Sequence, residues 1–151
     1  MKAISLWQPW ASAIALGLKR IETRSRRSNY LGEIAICAAK KNTPDLVEIF
    51  NDLLTEHDKI RAAFVKADQF TWDYLPLGCV VAVAEIYAVN PTEYLKPSIS
   101  ETELALGDFS PERWGLSLKN VRRLKKTVPV IGHQSLFNMP ADVEAKVREQ
   151  L

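Results

Sequence analysis

Only two cysteines and two histidines occur in this chain of 151 residues. Cys37 and Cys79 lie in separate apolar runs, and no C-x-x-C or H-x-x-x-H spacing joins them to His57 or His133. A structural metal site therefore lacks its clustered ligands, and no metal is expected. The same scarcity excludes a disulfide-dense scaffold. The two thiols read as small reduced core residues, with a bridge between them as the alternative. Glycine is also sparse, at six. No glycine-rich phosphate loop can be drawn, so nucleoside-triphosphate chemistry has no support and no cofactor is expected. The longest apolar stretch, Gly78 to Ala84, falls far short of the ~20 residues a membrane span needs. Met1 to Pro9 carries a charge but no secretory apolar run, which points to mature structure in the cytoplasm. His133 and Ser135 stand close together, yet there is no G-x-S-x-G elbow and no acid placed to orient the histidine.

What remains is an ordinary globular composition, 47% hydrophobic, 25% charged and 9% aromatic. A chain of this size buries about two-thirds of its unfolded surface, enough to fold as one domain without a crosslink. Net charge is only +2, but the bases are not spread evenly. Lys19 to Arg27 holds five bases against one acid, and Lys119 to Lys126 holds five bases and none. The acids gather at Asp45 to Asp58 and at Glu101 to Glu112. One positive face is the footprint of a phosphate-bearing partner, and solvated strand ends are the plainer alternative.

Periodicity supplies the elements. Ala3 to Trp7 alternates as a short strand, with Ile4 and Leu6 on one face and Ser5 and Trp7 on the other. Pro9 opens a helix that Gly17 closes, with Trp10, Ala13 and Ile14 on its buried stripe. From Arg20 the period is two: Ile21 and Thr23 face one way, Glu22 and Arg24 the other. Glu33 to Ala39 and Cys79 to Val89 read as buried strands. Between them, residues 43 to 75 form a helical insertion, opened by Thr43 as cap and Pro44 in the first turn. Ser100 and Glu103 have capping-box spacing for a brief helix ending at Gly107. Trp114 to Leu124 alternates, Val128 to Ile131 reads as an edge or bulged strand, and Pro140 opens a terminal helix. Short strands with helices inserted predict an α+β domain on a small barrel or curled sheet.

The chemistry-bearing residues crowd one stretch. Gly17 ends a helix, Lys19 lies in the turn, and Glu22 and Arg24 share a strand face, so a lysine, a carboxylate and a guanidinium converge at one mouth. A lysine desolvated there has a lowered pKa and suits general-base work, whereas Glu22 beside it favours the ammonium, a ligand for phosphate or an oxyanion. Trp7 and Gln8 at the same mouth would stack on a base and bond its edge. Arg26, Arg27 and Arg113 are candidates to steer a nucleic-acid backbone, with a pair to Asp108 or Glu112 as the alternative for Arg113. Glu85, inside a central strand, is either support for Lys19 or Arg24 or a rim residue facing water.

These motifs resemble the ASCH domain family. The resemblance rests on Gly17-x-Lys19-x-x-Glu22-x-Arg24, preceded by Ser5-Leu-Trp-Gln-Pro-Trp10. It extends to Gly78 leading to Glu85, Gly107-Asp-Phe-Ser-Pro-x-Arg113-Trp114 and Pro129-Val-x-Gly132-x-Gln134-x-Leu136-Phe137, leaving out only the insertion. It implies one ASCH domain over residues 1–151, a PUA-like β-barrel with flanking helices, and a cleft for RNA or a nucleotide lined by Lys19, Glu22 and Arg24. Some relatives are hydrolytic, on acetylated cytidine or on RNA, without metal. A second reading follows, an N(4)-acetylcytidine amidohydrolase-like enzyme or ribonuclease with Lys19 as base and Glu22 as acid or water-positioner. In the deacetylating branch a threonine takes the place of Glu22 and acts with the lysine and a distant glutamate. Here Thr23 is the nearest hydroxyl, on the other strand face. A third reading, a protein-interaction module, would show an exposed apolar patch on the insertion.

Overall fold

The computed structural model describes residues 1–151. Its strands are β1 (Lys2–Leu6), β2 (Ile21–Arg24), β3 (Gly32–Ala38), β4 (Cys79–Pro91), β5 (Trp114–Pro129) and β6 (Phe137–Asn138). The helices are α1 (Trp10–Ala15), α2 (Pro44–Glu56), α3 (Asp58–Lys66), α4 (Thr92–Leu95), α5 (Glu101–Ala105) and α6 (Ala141–Glu149). The strands form one six-stranded sheet in the order β2-β5-β4-β3-β1-β6, and only β1 and β3 run parallel. The sheet curls into a half-barrel with flanking helices, an α+β fold of PUA-like type. Its edges β2 and β6 make no ladder with one another, but the curl lets the Arg24 guanidinium on β2 donate to Ser5 O on β1 at 3.0 Å.

Alternation along the strands divides the apolar residues between two faces. On the concave face Ile4, Leu6, Ile34, Ile36, Ile86, Leu116 and Leu118 pack with Ala11 and Ile14 of α1. On the convex face Ala35, Cys37, Val80, Val83, Leu124 and Val128 pack with Val147 of α6. The insertion is a third cluster: Leu46 and Phe50 of α2, Ile60 and Phe64 of α3, and Trp72 cover Ala13 on the far side of α1. Phe50 lies edge-on to Phe64 and Trp72, with ring centroids 5.1 and 6.3 Å away. Each such side chain removed from water contributes about 1.5–3 kcal/mol. Helix α1 is thereby held between sheet and insertion, and so is the turn that follows it.

Two local details differ from the sequence reading. Val128 and Pro129 are not a separate strand; they end β5, opposite Val80 and Cys79 of β4, where β2 no longer pairs and β5 is an edge as expected. Proline is tolerated there because the last residue of a strand owes no further ladder bond. The β4–β5 register is irregular at three places: Leu124 to Thr127, which oppose Val81 alone and make the strand bulged as expected; Asn120, whose φ of 52° marks an extra residue against β4; and opposite Tyr87. Thr43 takes the cap position of α2, but its hydroxyl makes no capping bond. Ser100, by contrast, accepts the Glu103 amide at 3.1 Å, as its spacing predicts.

Candidate functional site

The site begins where α1 stops. Gly17 adopts a φ of +78°, which a residue with a Cβ reaches only under strain. The Leu18 and Lys19 amides then fold back onto Ala13 O at 3.0 and 3.1 Å, which turns Lys19 inward. Its Nζ donates to Ile21 O at 2.6 Å and Leu106 O at 2.9 Å, and lies 3.7 Å from Glu22 Oε1. Burial pulls the ammonium below the usual lysine range, while the negative charges of Glu22 and Glu103 resist the change. Glu103 arrives from α5. Its carboxylate accepts the Arg20 amide at 2.9 Å and the Ile21 amide at 2.8 Å. Lys19 and Glu103 thus tie the start of β2 to α5 in opposite directions, one donating to a carbonyl and one accepting from amides.

On β2 the alternation does the rest. Glu22 Oε2 lies 3.1 Å from Arg24 Nε, at an angle that makes the contact an ion pair rather than a hydrogen bond. Glu22 therefore stands between two cations, and Arg24, one-third exposed, keeps part of its guanidinium free toward solvent. Thr23 points inward; Arg113 donates to its carbonyl at 3.1 Å and reaches its hydroxyl at 3.4 Å. Arg113 also binds Asp108, through the carbonyl at 3.2 Å and the carboxylate at 3.5 Å. Its three hydrogen bonds and ion pair go to the protein itself.

These groups line a cleft of about 1470 Å³. One wall is Ser5 to Trp7 with Trp10, another is Glu22 to Ser28 with Arg113, and the floor includes Ala38 to Lys40 and Gly78. The loop from Val130 to Leu136, which carries His133 and Ser135, closes the far side. Lys19, Glu22 and Arg24 do meet here, but they are not equivalent. Lys19 is 1% exposed and surrounded by acceptors, so in this arrangement it is a buried strut and not a phosphate contact. Gln8 is corrected likewise. It is fully buried, donates to Ser12 Oγ and Pro76 O and accepts the Ser12 amide, leaving nothing to read a base with. Arg113 braces β2 from the cleft wall, with a quarter of its side chain exposed. Glu85 lies outside the cleft and faces water, paired with Lys119 at 3.8 Å and accepting from the Asn120 side-chain amide at 3.1 Å.

Trp7, Arg26 and Arg27 are exposed at the mouth. Lys41 Nζ sits 3.4 Å from the centre of the Trp7 ring, and Arg27 lies over Trp114 at 5.1 Å. Glu103 is the residue that sequence reasoning undervalued. Its capping-box spacing located it on the helix start, where such a side chain ordinarily turns back to its own cap residue. Here it reaches across to β2 instead, and only the fold brings β2 within range.

A curled mixed sheet with a polar cleft at one mouth defines a PUA-like domain. The family model of the ASCH domain matches residues 4–126, and the chain belongs to that family. It is 26% identical over 149 residues to human activating signal cointegrator 1, covering 98% of this chain and 24% of that protein. The chain therefore spans about a quarter of the curated relative's length. Among solved structures, the ASCH protein of Zymomonas mobilis superposes with a TM-score of 0.58 at 17% identity, covering 98% of this chain and 93% of that one. A point variant of the same protein gives 0.57 at 15% identity, covering 98% and 94%. At these identities the two structures speak to the fold alone.

Proposed function

We propose that the cleft binds single-stranded RNA or a free nucleotide. The observation that carries this reading is the composition of the cleft mouth. Arg24, Arg26, Arg27 and Lys40 line it together with a half-exposed indole, Trp7. Cations along a groove beside an aromatic platform are what a phosphate backbone and unstacked bases require. Glu22 fits the role of acceptor for a base N–H, held in place by Lys19 and Arg24 on either side.

The hydrolytic reading asks more of Lys19. A general base needs a lone pair aimed at its substrate. Around Nζ stand two carbonyl oxygens and a carboxylate, all acceptors, which orient N–H bonds and leave no open direction. The insertion exposes Phe70 and Tyr74, with centroids 6.2 Å apart, and also Ile49 and Val65. The cleft, in contrast, gathers cations and an indole in one place, so the interaction-module reading has the weaker support.

The test is a titration of a five-nucleotide oligouridylate, followed by fluorescence anisotropy at several salt concentrations. Four phosphates neutralised on a single strand give a log–log slope of about −3. Arg24→Ala should weaken binding about 10-fold, equivalent to ~1.4 kcal/mol. A flat salt response, or product formed from RNA or acetylated cytidine by wild type and not by Lys19→Ala, would overturn the binding reading.

A further inference from the structure

The second basic stretch of the chain, Lys119 to Lys126, lies outside the cleft. Its cations are not alike. Lys119 is paired with Glu85 at 3.8 Å and Arg122 with Glu33 at 3.5 Å. Arg123, Lys125 and Lys126 are exposed and make no ion pair. Strand register separates these three by face. Ile4 pairs with Ile36, Ile36 with Ala82, and Ala82 with Arg123, so Arg123 ends a row on the concave face. Ala3, Ala35, Val83 and Arg122 form the neighbouring row on the convex face, against α6. By alternation Lys125 joins Arg123 on the concave side, and Lys126 joins Leu124 and Val128 on the convex side.

Beyond Ser117 the outer edge of β5 is open, and the end of the strand leads to Val130 at the cleft. Strand β2 pairs only with Trp114 to Ser117, so no strand covers β5 farther along. At the cleft, the stem of Lys40 lies against Gly78, where an added Cβ would sit 2.8 Å from Lys40 Cγ. Cys79 follows, with the Thr127 hydroxyl at its thiol. Lys125 and Arg123 come next along that face of β5, two residues apart, or about 6.7 Å per step. Lys40 therefore stands between the cleft it lines and the row beyond it.

We propose that a single-stranded nucleic acid held in the cleft leaves it past Lys40 and continues along β5, its phosphates neutralised by Lys125 and Arg123. This rests on the nucleic-acid reading of the cleft and extends it to a longer footprint. A five-nucleotide strand fills the cleft alone; a longer one reaches β5.

The experiment compares oligouridylates of five and fifteen nucleotides on three proteins, by anisotropy between 50 and 200 mM salt. The proteins are wild type, the double variant Arg123→Gln with Lys125→Gln, and Lys126→Gln as a control of equal charge type on the other face. The double variant should lose about 1.4 from the slope for the longer strand, at ~0.7 per phosphate contact, and nothing for the shorter. Lys126→Gln should match wild type on both. Equal slopes for the double variant and wild type on the longer strand would overturn the proposal, as would an equal loss in Lys126→Gln. If wild type binds neither strand, it is the reading of the cleft that fails, a separately recognisable result.

Discussion

Replacing Glu103 with alanine tests whether the site is held together from beneath. The carboxylate is 6% exposed and accepts the backbone amides of Arg20 and Ile21. Hydrogen bonds to a charged acceptor contribute about 1.5–3 kcal/mol each. Arg20 is exposed and Ile21 only half-buried, so water replaces part of what is lost, and the lower end applies. The variant also takes from Lys19 one of the two negative charges that support its ammonium. The sum is a loss of about 2–4 kcal/mol, which for a domain of this size lowers the melting temperature by about 5–15 °C. Glu103→Gln keeps one acceptor oxygen and should lose about half as much. Thermal melts followed by circular dichroism read both variants, with urea midpoints as a second measure of the same order. Affinity for the five-nucleotide strand should fall as well, because Glu22 and Arg24 ride on the strand that Glu103 anchors. A Glu103→Ala protein melting within 2 °C of wild type would refute the bracing role and with it the idea that β2 is positioned from α5.

Two further predictions follow from buried titratable groups. Lys19 has a folded-state pKa below the ordinary 10.5 because burial disfavours its charge. Between the two values the unfolded chain holds a proton that the folded chain has released. The stability from this group is thus full above the unfolded value and is lost as pH falls through the folded one. In urea melts, wild type should gain stability relative to Lys19→Met as pH rises toward that of free lysine; a widening gap in the opposite direction would contradict the burial of Lys19. The Cys37 thiol is pushed up to about 12 by burial. At pH 8 only about one such thiol in ten thousand is ionised, so iodoacetamide should leave native Cys37 unmodified and label it fully after urea unfolding. Stoichiometric labelling of the native protein within minutes, read by mass spectrometry, would show the site to be open.

Much of the fold can be read from short-range pattern. The alternation of Ile4 and Leu6 against Ser5 and Trp7 names the buried face of β1, and both apolar residues are in the concave core. Gly17, Pro44, Ser100 and Pro140 mark helix ends within a residue or two of where they fall. Such signals are legible because they depend on neighbours a few positions away, where the backbone period is the same whatever the tertiary fold. The strand at Val128, edge-like and bulged as expected but continuous with β5, shows the limit. Proline reads as a break, yet its place at the end of β5 depends on β4 lying alongside.

The meeting of Lys19, Glu22 and Arg24 was set by the chain itself, since a helix end, a tight turn and a two-residue strand period bring them together locally. Which of them faces solvent was decided only by the tertiary structure. Lys19 is buried because Leu106, 87 positions away, supplies a carbonyl for its ammonium. Gln8 is lost to the interior because Pro76, 68 positions away, takes its amide. A polar side chain goes wherever its hydrogen bonds can be completed, and the partners that complete them here come from segments that no local period can locate.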